Sequence, residues 1–256
     1  MAYPFERNIP IYLIIDTNWW IYILDGQYEE IFKKIQLKVN SGDFKIVTCK
    51  YSLLEWEKHK KIFTQNIETK IKNLTKIEKN LKGSDKEIVK KSKDIIKKYE
   101  LEKTKKLISE IDDILYKKSV KAPITPKVKN LVIEHGFKKI APFKEKNSTA
   151  DALILFSATE YIKKENIDAL KSSVFVSANY KDFAASKDDK NKINDDLTNH
   201  LNDSGMTFET NIATAFQLTA DLENEINIYI DKSIDDYIED MIDRESQYMI
   251  DISRGK

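Results

Sequence analysis

Five apolar residues in succession, Ile11-Tyr12-Leu13-Ile14-Ile15, stop at the polar triplet Asp16-Thr17-Asn18. A strand with water on one face alternates apolar and polar side chains, so an unbroken run predicts a strand covered on both faces. Strands of that kind belong to parallel sheets flanked by helices. The rest of the chain follows suit. Trp19 to Leu24 and Glu29 to Val39 predict helices, and Lys45 to Cys49 predicts a second strand, entered through the turn Ser41-Gly42-Asp43. Ser52 stands just ahead of a helix bearing Leu53, Leu54 and Glu55, with Glu55 at the capping-box offset. After Pro123 and Pro126, a helix over Lys127 to Glu134 is closed by His135-Gly136. Asn147-Ser148-Thr149 caps a helix from Ala150 to about Lys164, whose Ala152–Ala158 stretch (ALILFSA) must be buried on most sides. Ser173 to Ser177 and Met206 to Phe208 predict a third and a fourth strand. Strands alternating with helices give an α/β layer fold with a mostly parallel sheet.

One long stretch breaks the alternation. From Ser52 to about Leu81 and again to about Tyr116 the pattern is helical, with Ile67, Ile71, Leu74 and Ile77 recurring at threes and fours. Lys82-Gly83-Ser84-Asp85 supplies the turn, so residues 57–121 predict an inserted hairpin about 40 Å long or more at 1.5 Å per residue. Its charge is one-sided: Glu57 to Lys118 holds 19 lysines against 11 acids. From Asp221 to Glu245, ten acids face only Lys232 and Arg244, on a predicted helix whose Leu222, Ile226, Ile230, Ile234, Ile238 and Ile242 recur every fourth residue. Opposite excesses suggest an electropositive region and an acidic partner in this chain or another, although solvated faces of charged helices would give the same counts. The organisation expected is therefore a domain over 1–220, interrupted by the hairpin at 57–121, and an acidic helix over 221–256.

Composition narrows the classes. Hydrophobic residues at 41% and a net charge of +1 exclude a wholly disordered chain. The longest apolar stretch, Ile9 to Leu24, is cut by Asp16-Thr17-Asn18 and falls short of the roughly 20 residues a membrane span needs. The first ten residues lack the basic-then-apolar layout of a signal peptide. The single cysteine, Cys49, has no partner for an internal disulfide, which fits a reducing cytoplasm. A cytoplasmic protein with no membrane partner is the expectation.

Three acids share one placement. Asp16 ends the first strand, Glu55 opens the helix after the second, and Asp151 opens the apolar helix. Each has an ordinary explanation as a cap or a helix-dipole partner. Together they are expected to converge beyond the carboxyl ends of parallel strands, where ligands bind in open sheets. Gathered carboxylates repel, and a hard divalent cation, Mg²⁺ or Mn²⁺, is the usual compensation. The third strand adds Ser177, Asn179 and Asp182 to the same rim. His59, His135 and His200 lie outside this set and are expected at the surface or as caps.

With those pieces in hand, the chain resembles the PIN family of metal-dependent nucleases, which includes bacterial toxin ribonucleases. LIIDTN at the first strand, LLEWEKH on a following helix, STADALIL on a later helix and VFVSANYKDF at the last core strand stand in family order. Ala141-Pro142-Phe143, Asp195-Asp196-Leu197 and the Phe208 to Gln217 ending extend the likeness to residues 9–57 and 124–220. The resemblance implies a PIN-like three-layer fold with a helical-hairpin insertion and a C-terminal helical extension. It implies that Asp16, Glu55 and Asp151 are core metal-binding acids, with Asp182 a weaker or water-mediated ligand and Asn18, Ser177 and Asn179 in support. Asn179 stands where some members have aspartate, which weakens the case for a second metal.

The function expected is hydrolysis of phosphodiester bonds, in RNA before DNA, in a toxin or phage-defence setting. Lys58, Lys60, Lys61 and Lys181 are the expected phosphate contacts. With only Arg7, Arg244 and Arg254 in the chain, backbone or shape recognition is expected over base reading. Trp19, Trp20, Trp56 and Tyr180 flank the rim and either stack bases or pack the core. The acidic helix is a candidate internal inhibitor lying over the lysines or the cleft, and its isoleucine stripe a candidate surface for a protein partner or a homodimer. A rival reading keeps the fold as a non-catalytic scaffold. A phosphatase with a nucleophilic Asp16 is disfavoured, because that chemistry wants an aspartate at position 18.

Overall fold

The computed structural model describes residues 10–144, 148–165 and 172–228, with Lys232 and Glu239. Its frame is a five-stranded sheet in which every pairing is parallel, in the order β3-β2-β1-β4-β5. The strands are β1 (Ile11–Ile15), β2 (Phe44–Thr48), β3 (Val120–Lys121), β4 (Ser173–Val176) and β5 (Met206–Glu209). The chain builds outward from β1 on one side through β2 and β3, then crosses to the other side for β4 and β5. Tyr12 to Ile15 pair in register with Ser173 to Val176, so the two central strands end level with each other.

The uninterrupted apolar run of β1 separates by alternation into two cores. Ile11, Leu13 and Ile15 face one layer of helices, and Tyr12 and Ile14 face the other. The first layer comprises α1 (Thr17–Leu24), α2 (Glu29–Ser41), the start of α3 (Lys50–Asn80), the end of α5 (Glu102–Asp112) and α10 (residues 212–228). It contributes Trp20, Phe32, Trp56, Ile111 and Ile226 to its core. The second layer is α6 (Pro126–Lys138), α7 (Thr149–Lys164) and α9 (Asp195–Asn202), packed through Val128, Leu155, Phe156 and Leu197. In α7, every residue from Ala152 to Thr159 is buried, as its composition requires.

The insertion is an antiparallel arm. Helix α3 runs for 31 residues, and the chain returns through α4 (Gly83–Ile95), a π turn at Ile96–Leu101, α5 and a second π turn at Asp113–Lys118. Lys93 with Glu78 and Lys70 with Glu100 hold the two limbs together. The base of the returning limb is not peripheral: Leu107, Ile111, Ile114 and Leu115 sit in the first core, and Val120–Lys121 forms the edge strand. Away from the base Ile67 and Thr104 are buried, and Ile77 is 48% exposed, so the apolar register weakens toward the tip.

Several boundaries differ from the sequence expectation. Helix α3 begins at Lys50, before Ser52, because the Ser52 hydroxyl lies at the third helical position and accepts the Cys49 N–H at 3.0 Å. His135-Gly136 do not close α6. The helix runs on to Lys138 and stops where Lys139 takes the left-handed conformation. The last helix starts near residue 212 rather than 222. Leu222 and Ile226 of its stripe are buried in the first core, while Ile230, Ile234, Ile238 and Ile242 lie outside the described residues. Among the described residues no helix is long and apolar enough to cross a membrane.

The two-core arrangement makes a stability prediction. Leu155→Ala removes a fully buried side chain and should cost about 2–5 kcal/mol in urea unfolding. Ile77→Ala on the half-exposed arm should cost less than about 1 kcal/mol.

Candidate active site

The switch in strand order lies between β1 and β4, and the residue that follows β1 is Asp16. Its backbone N–H bonds to the Val176 carbonyl at 2.9 Å, which ties it to the end of β4. Its carboxylate is 2% exposed and held by three donors. Oδ1 accepts the Thr17 N–H at 2.7 Å, capping α1. Oδ2 accepts the Ser177 hydroxyl at 2.6 Å and the Asn18 amide at 3.3 Å. Burial pushes the Asp16 carboxyl up to about 6, and the nearby Glu55 charge adds to that, while the bonds from Ser177, Thr17 and Asn18 pull it back.

The other three acids are linked to Asp16 through neutral side chains. Glu55, in the second turn of α3, accepts the Thr17 hydroxyl at 3.0 Å. Asn179, between β4 and the short helix α8 (Tyr180–Phe183), donates its amide to Asp182 at 2.6 Å and to Asp151 at 3.3 Å. Its backbone N–H bonds to the Ser177 hydroxyl oxygen at 3.1 Å, closing the circuit back to Asp16. Asp182 is buried and accepts a second bond from the Ser148 hydroxyl, at 2.8 Å, just ahead of α7. The four acids and the three supporting residues singled out in the sequence thus meet at one rim. Thr17 and Ser148, which sequence reasoning did not assign to the site, complete the network. Each adjoins a marked feature, Thr17 following Asp16 and Ser148 capping the Asp151 helix, so a search for hydroxyl donors beside the acids would have found them.

The carboxylate set offers hard oxygen donors of the kind that suit Mg²⁺ or Mn²⁺, and buried Asp16 is where a positive charge would relieve most. Among the described residues, however, no three His, Cys, Asp or Glu side chains form a ready-made metal cluster. Hydroxyl and amide donors stand between the acids instead. The fit is one of donor chemistry.

The residues around the rim divide by burial. Trp19, Trp20 and Trp56 are core residues and offer no face to a base. Tyr180 is half-buried, with the Lys190 ammonium 4.7 Å from its ring centre. Lys58, Lys61 and Lys181 are exposed and make no ion pair among the described residues. Lys60 is committed elsewhere: it bridges Glu57 at 2.7 Å and Asp112 at 3.0 Å, and Asp112 also accepts the Trp56 indole N–H at 2.7 Å. His135 is neither at the surface nor a cap. It is buried, with Nδ1 2.7 Å from the Ala141 carbonyl and its ring beside Phe156 and His200. Burial, and then His135, hold His200 below its ordinary value. The Ala141 N–H bonds to Asp196 at 3.0 Å, joining two further pieces of the sequence resemblance.

Comparison with known families gives one match: a model described as PIN domain aligns with residues 13–183. No curated protein and no solved structure matches the chain.

The burial of Asp16 has a measurable consequence. Its folded-state value near 6 lies above that of an unfolded aspartate, so between about pH 4 and pH 6 the folded chain holds a proton that the unfolded chain has lost. Stability must therefore fall as pH rises through that window. In a chelator at pH 7, Asp16→Asn should be more stable than the parent by up to about 3 kcal/mol, and the difference should vanish near pH 4. Urea unfolding at the two pH values checks it.

Proposed function

The chain belongs to the PIN-domain family, a family of nucleases, and from that premise we propose that it is a divalent-metal-dependent endonuclease acting on RNA. The observation that carries this reading is the hydrogen-bonded circuit joining Asp16, Glu55, Asp151 and Asp182 at the switch point of the sheet. Asp16, Glu55 and Asp151 would hold Mg²⁺ or Mn²⁺, with Asp182 behind them. Such an ion supplies a nucleophilic water near neutral pH and neutralises charge developing on the phosphoryl oxygens.

The chain's own residues do the positioning. Ser177 and Thr17 fix the two oxygens of Asp16, and Thr17 also orients Glu55. The Asn179 amide donates to both Asp151 and Asp182, which aligns the two carboxylates. Lys58, Lys61 and Lys181 are exposed and make no ion pair among the described residues, which suits them to neutralise phosphates as point charges without bidentate base reading. Lys60 falls outside that set because its charge is spent on Glu57 and Asp112. RNA and a toxin or phage-defence setting rest on the resemblance to toxin ribonucleases, with the acidic segment after residue 221 as a candidate inhibitor.

A second reading, a non-catalytic scaffold, is favoured by the neutral donors that satisfy the acids with no three-carboxylate cluster among the described residues. Incubating labelled single-stranded RNA and DNA of matched sequence with Mg²⁺, Mn²⁺ or EDTA separates the two. Cleavage of RNA that needs the metal and drops to background in the Asp16→Asn/Asp151→Asn double variant is expected. Cleavage of DNA alone would change the substrate, and neither cleavage nor calorimetric Mn²⁺ binding would leave the scaffold. If Ser177 and Asn179 act by orienting carboxylates, Ser177→Ala and Asn179→Ala should each lose about 10–100-fold in metal affinity or activity. Unchanged Mn²⁺ titrations for both variants would remove them from the site.

A further inference from the structure

The edge of the sheet opposite β5 carries a second feature, outside the acidic rim. Strand β3 pairs with β2 on one side and has no strand on the other among the described residues. Beside it lies an open groove of about 680 Å³ lined by Leu53, Leu54, Tyr116, Pro123 and Ile124, with Lys50 and Lys121 among its polar members. Leu54 is 52% exposed and Tyr116 40%, so large apolar surfaces face solvent there.

The charge in this groove is one-sided. Glu57, its one acid among the described residues, is already bound by the Lys60 ammonium and the Tyr116 hydroxyl. Lys50 makes no ion pair among the described residues. Charge on an edge strand is one way in which proteins discourage strand pairing. Lys121 turns its ammonium onto neutral oxygens, the Leu115 carbonyl, the Ser119 hydroxyl at 2.5 Å and the Thr48 hydroxyl at 3.4 Å, with no carboxylate among the described residues.

We propose that this edge is a docking site for an extended, acidic and apolar peptide segment of a partner protein, which adds beside β3, buries an apolar side chain against Leu53 and Leu54 and sets a carboxylate on Lys121 and Lys50. Backbone pairing at an open edge gives such a segment affinity, and the groove and the two ammoniums give it selectivity. The inference stands apart from the nuclease reading, because none of the acids of the rim lines the groove. The two share only the first turns of α3, where Lys50, Leu53, Leu54 and Glu57 face the groove and Glu55 bonds to Thr17.

The test is selection of a displayed library of random short peptides on the full chain, followed by fluorescence anisotropy with the enriched peptides. Sequences that alternate acidic and apolar residues should be enriched, and their binding should weaken at least about tenfold in Lys121→Glu and in Leu54→Glu, one charge-reversing and one groove-filling change. Both side chains are exposed, and unchanged thermal melting confirms that the variants fold. Enrichment of basic or charge-independent sequences, no enrichment, or binding unaffected by either variant would overturn the proposal. So would a dimer in light scattering that Leu54→Glu converts to monomer, since the groove would then belong to a second copy.

Discussion

A carboxylate at the end of a strand buried on both faces must be given donors, and the structure is arranged around meeting that demand for Asp16. The run Ile11–Ile15 is buried along its whole length, and Asp16, which follows it, is 2% exposed. Its donors come from both directions of the chain. Thr17 is supplied locally by the start of α1, and Ser177 from across the switch point by the neighbouring strand. Level endings of β1 and β4 are what bring Ser177 within 2.6 Å, so the register of the sheet and the chemistry of its rim are one constraint. An ion pair would satisfy the same charge more strongly, yet among the described residues no cation does so. The neutral circuit leaves Asp16 with a raised proton affinity, an unfavourable state for the folded chain that an added positive charge would relieve.

Most of the fold could be read in the sequence because it rests on local pattern. The strands at Ile11, Phe44, Ser173 and Met206 are short apolar runs bounded by turns, and the helices between them have period and caps. The family resemblance drew on the same segments, and the matched span of residues 13–183 contains its four main motifs. What escaped was of two kinds. Strand β3 is two residues long, and no periodicity exists in two residues; it forms because Val120 and Lys121 fall beside Val47 and Thr48. Boundaries moved where a single backbone choice prevailed over the statistical breaker, as when Lys139, and not Gly136, took the left-handed turn that ends α6.

The site was legible to a comparable depth. Its acids stood out because strand ends and helix starts are where such residues gather. Their bridging donors did not, because a serine ahead of Asp151 bonding to Asp182, thirty-four residues on, is a tertiary fact. Lys60 shows the same limit from the other side. In the sequence it is one lysine among many, whereas in the fold it fastens α3 to the returning limb through Asp112, which is itself held by the Trp56 indole. Counting charges overstates what a surface can offer a polyanion when part of the charge is consumed internally.

Helix α3 is the element on which these separate features converge. Its first turns line the edge groove and hold Glu55 against Thr17, its next turn buries Trp56 and anchors Lys60, and its distal half forms one limb of the lysine-rich arm. A continuous helix transmits displacement along its axis far better than a loop, because each residue is bonded to the next turn. The returning limb is helical throughout from Gly83 to Lys118, with π turns at Ile96–Leu101 and Asp113–Lys118, so both limbs of the arm are continuous and α3 is the one that also carries Glu55. Whatever engages the arm or the groove therefore acts on the same rod that positions Glu55. Glu55 is held to Thr17 by one hydrogen bond, and Thr17 in turn bonds to Asp16, so the groove, the arm and the acidic rim share one helix.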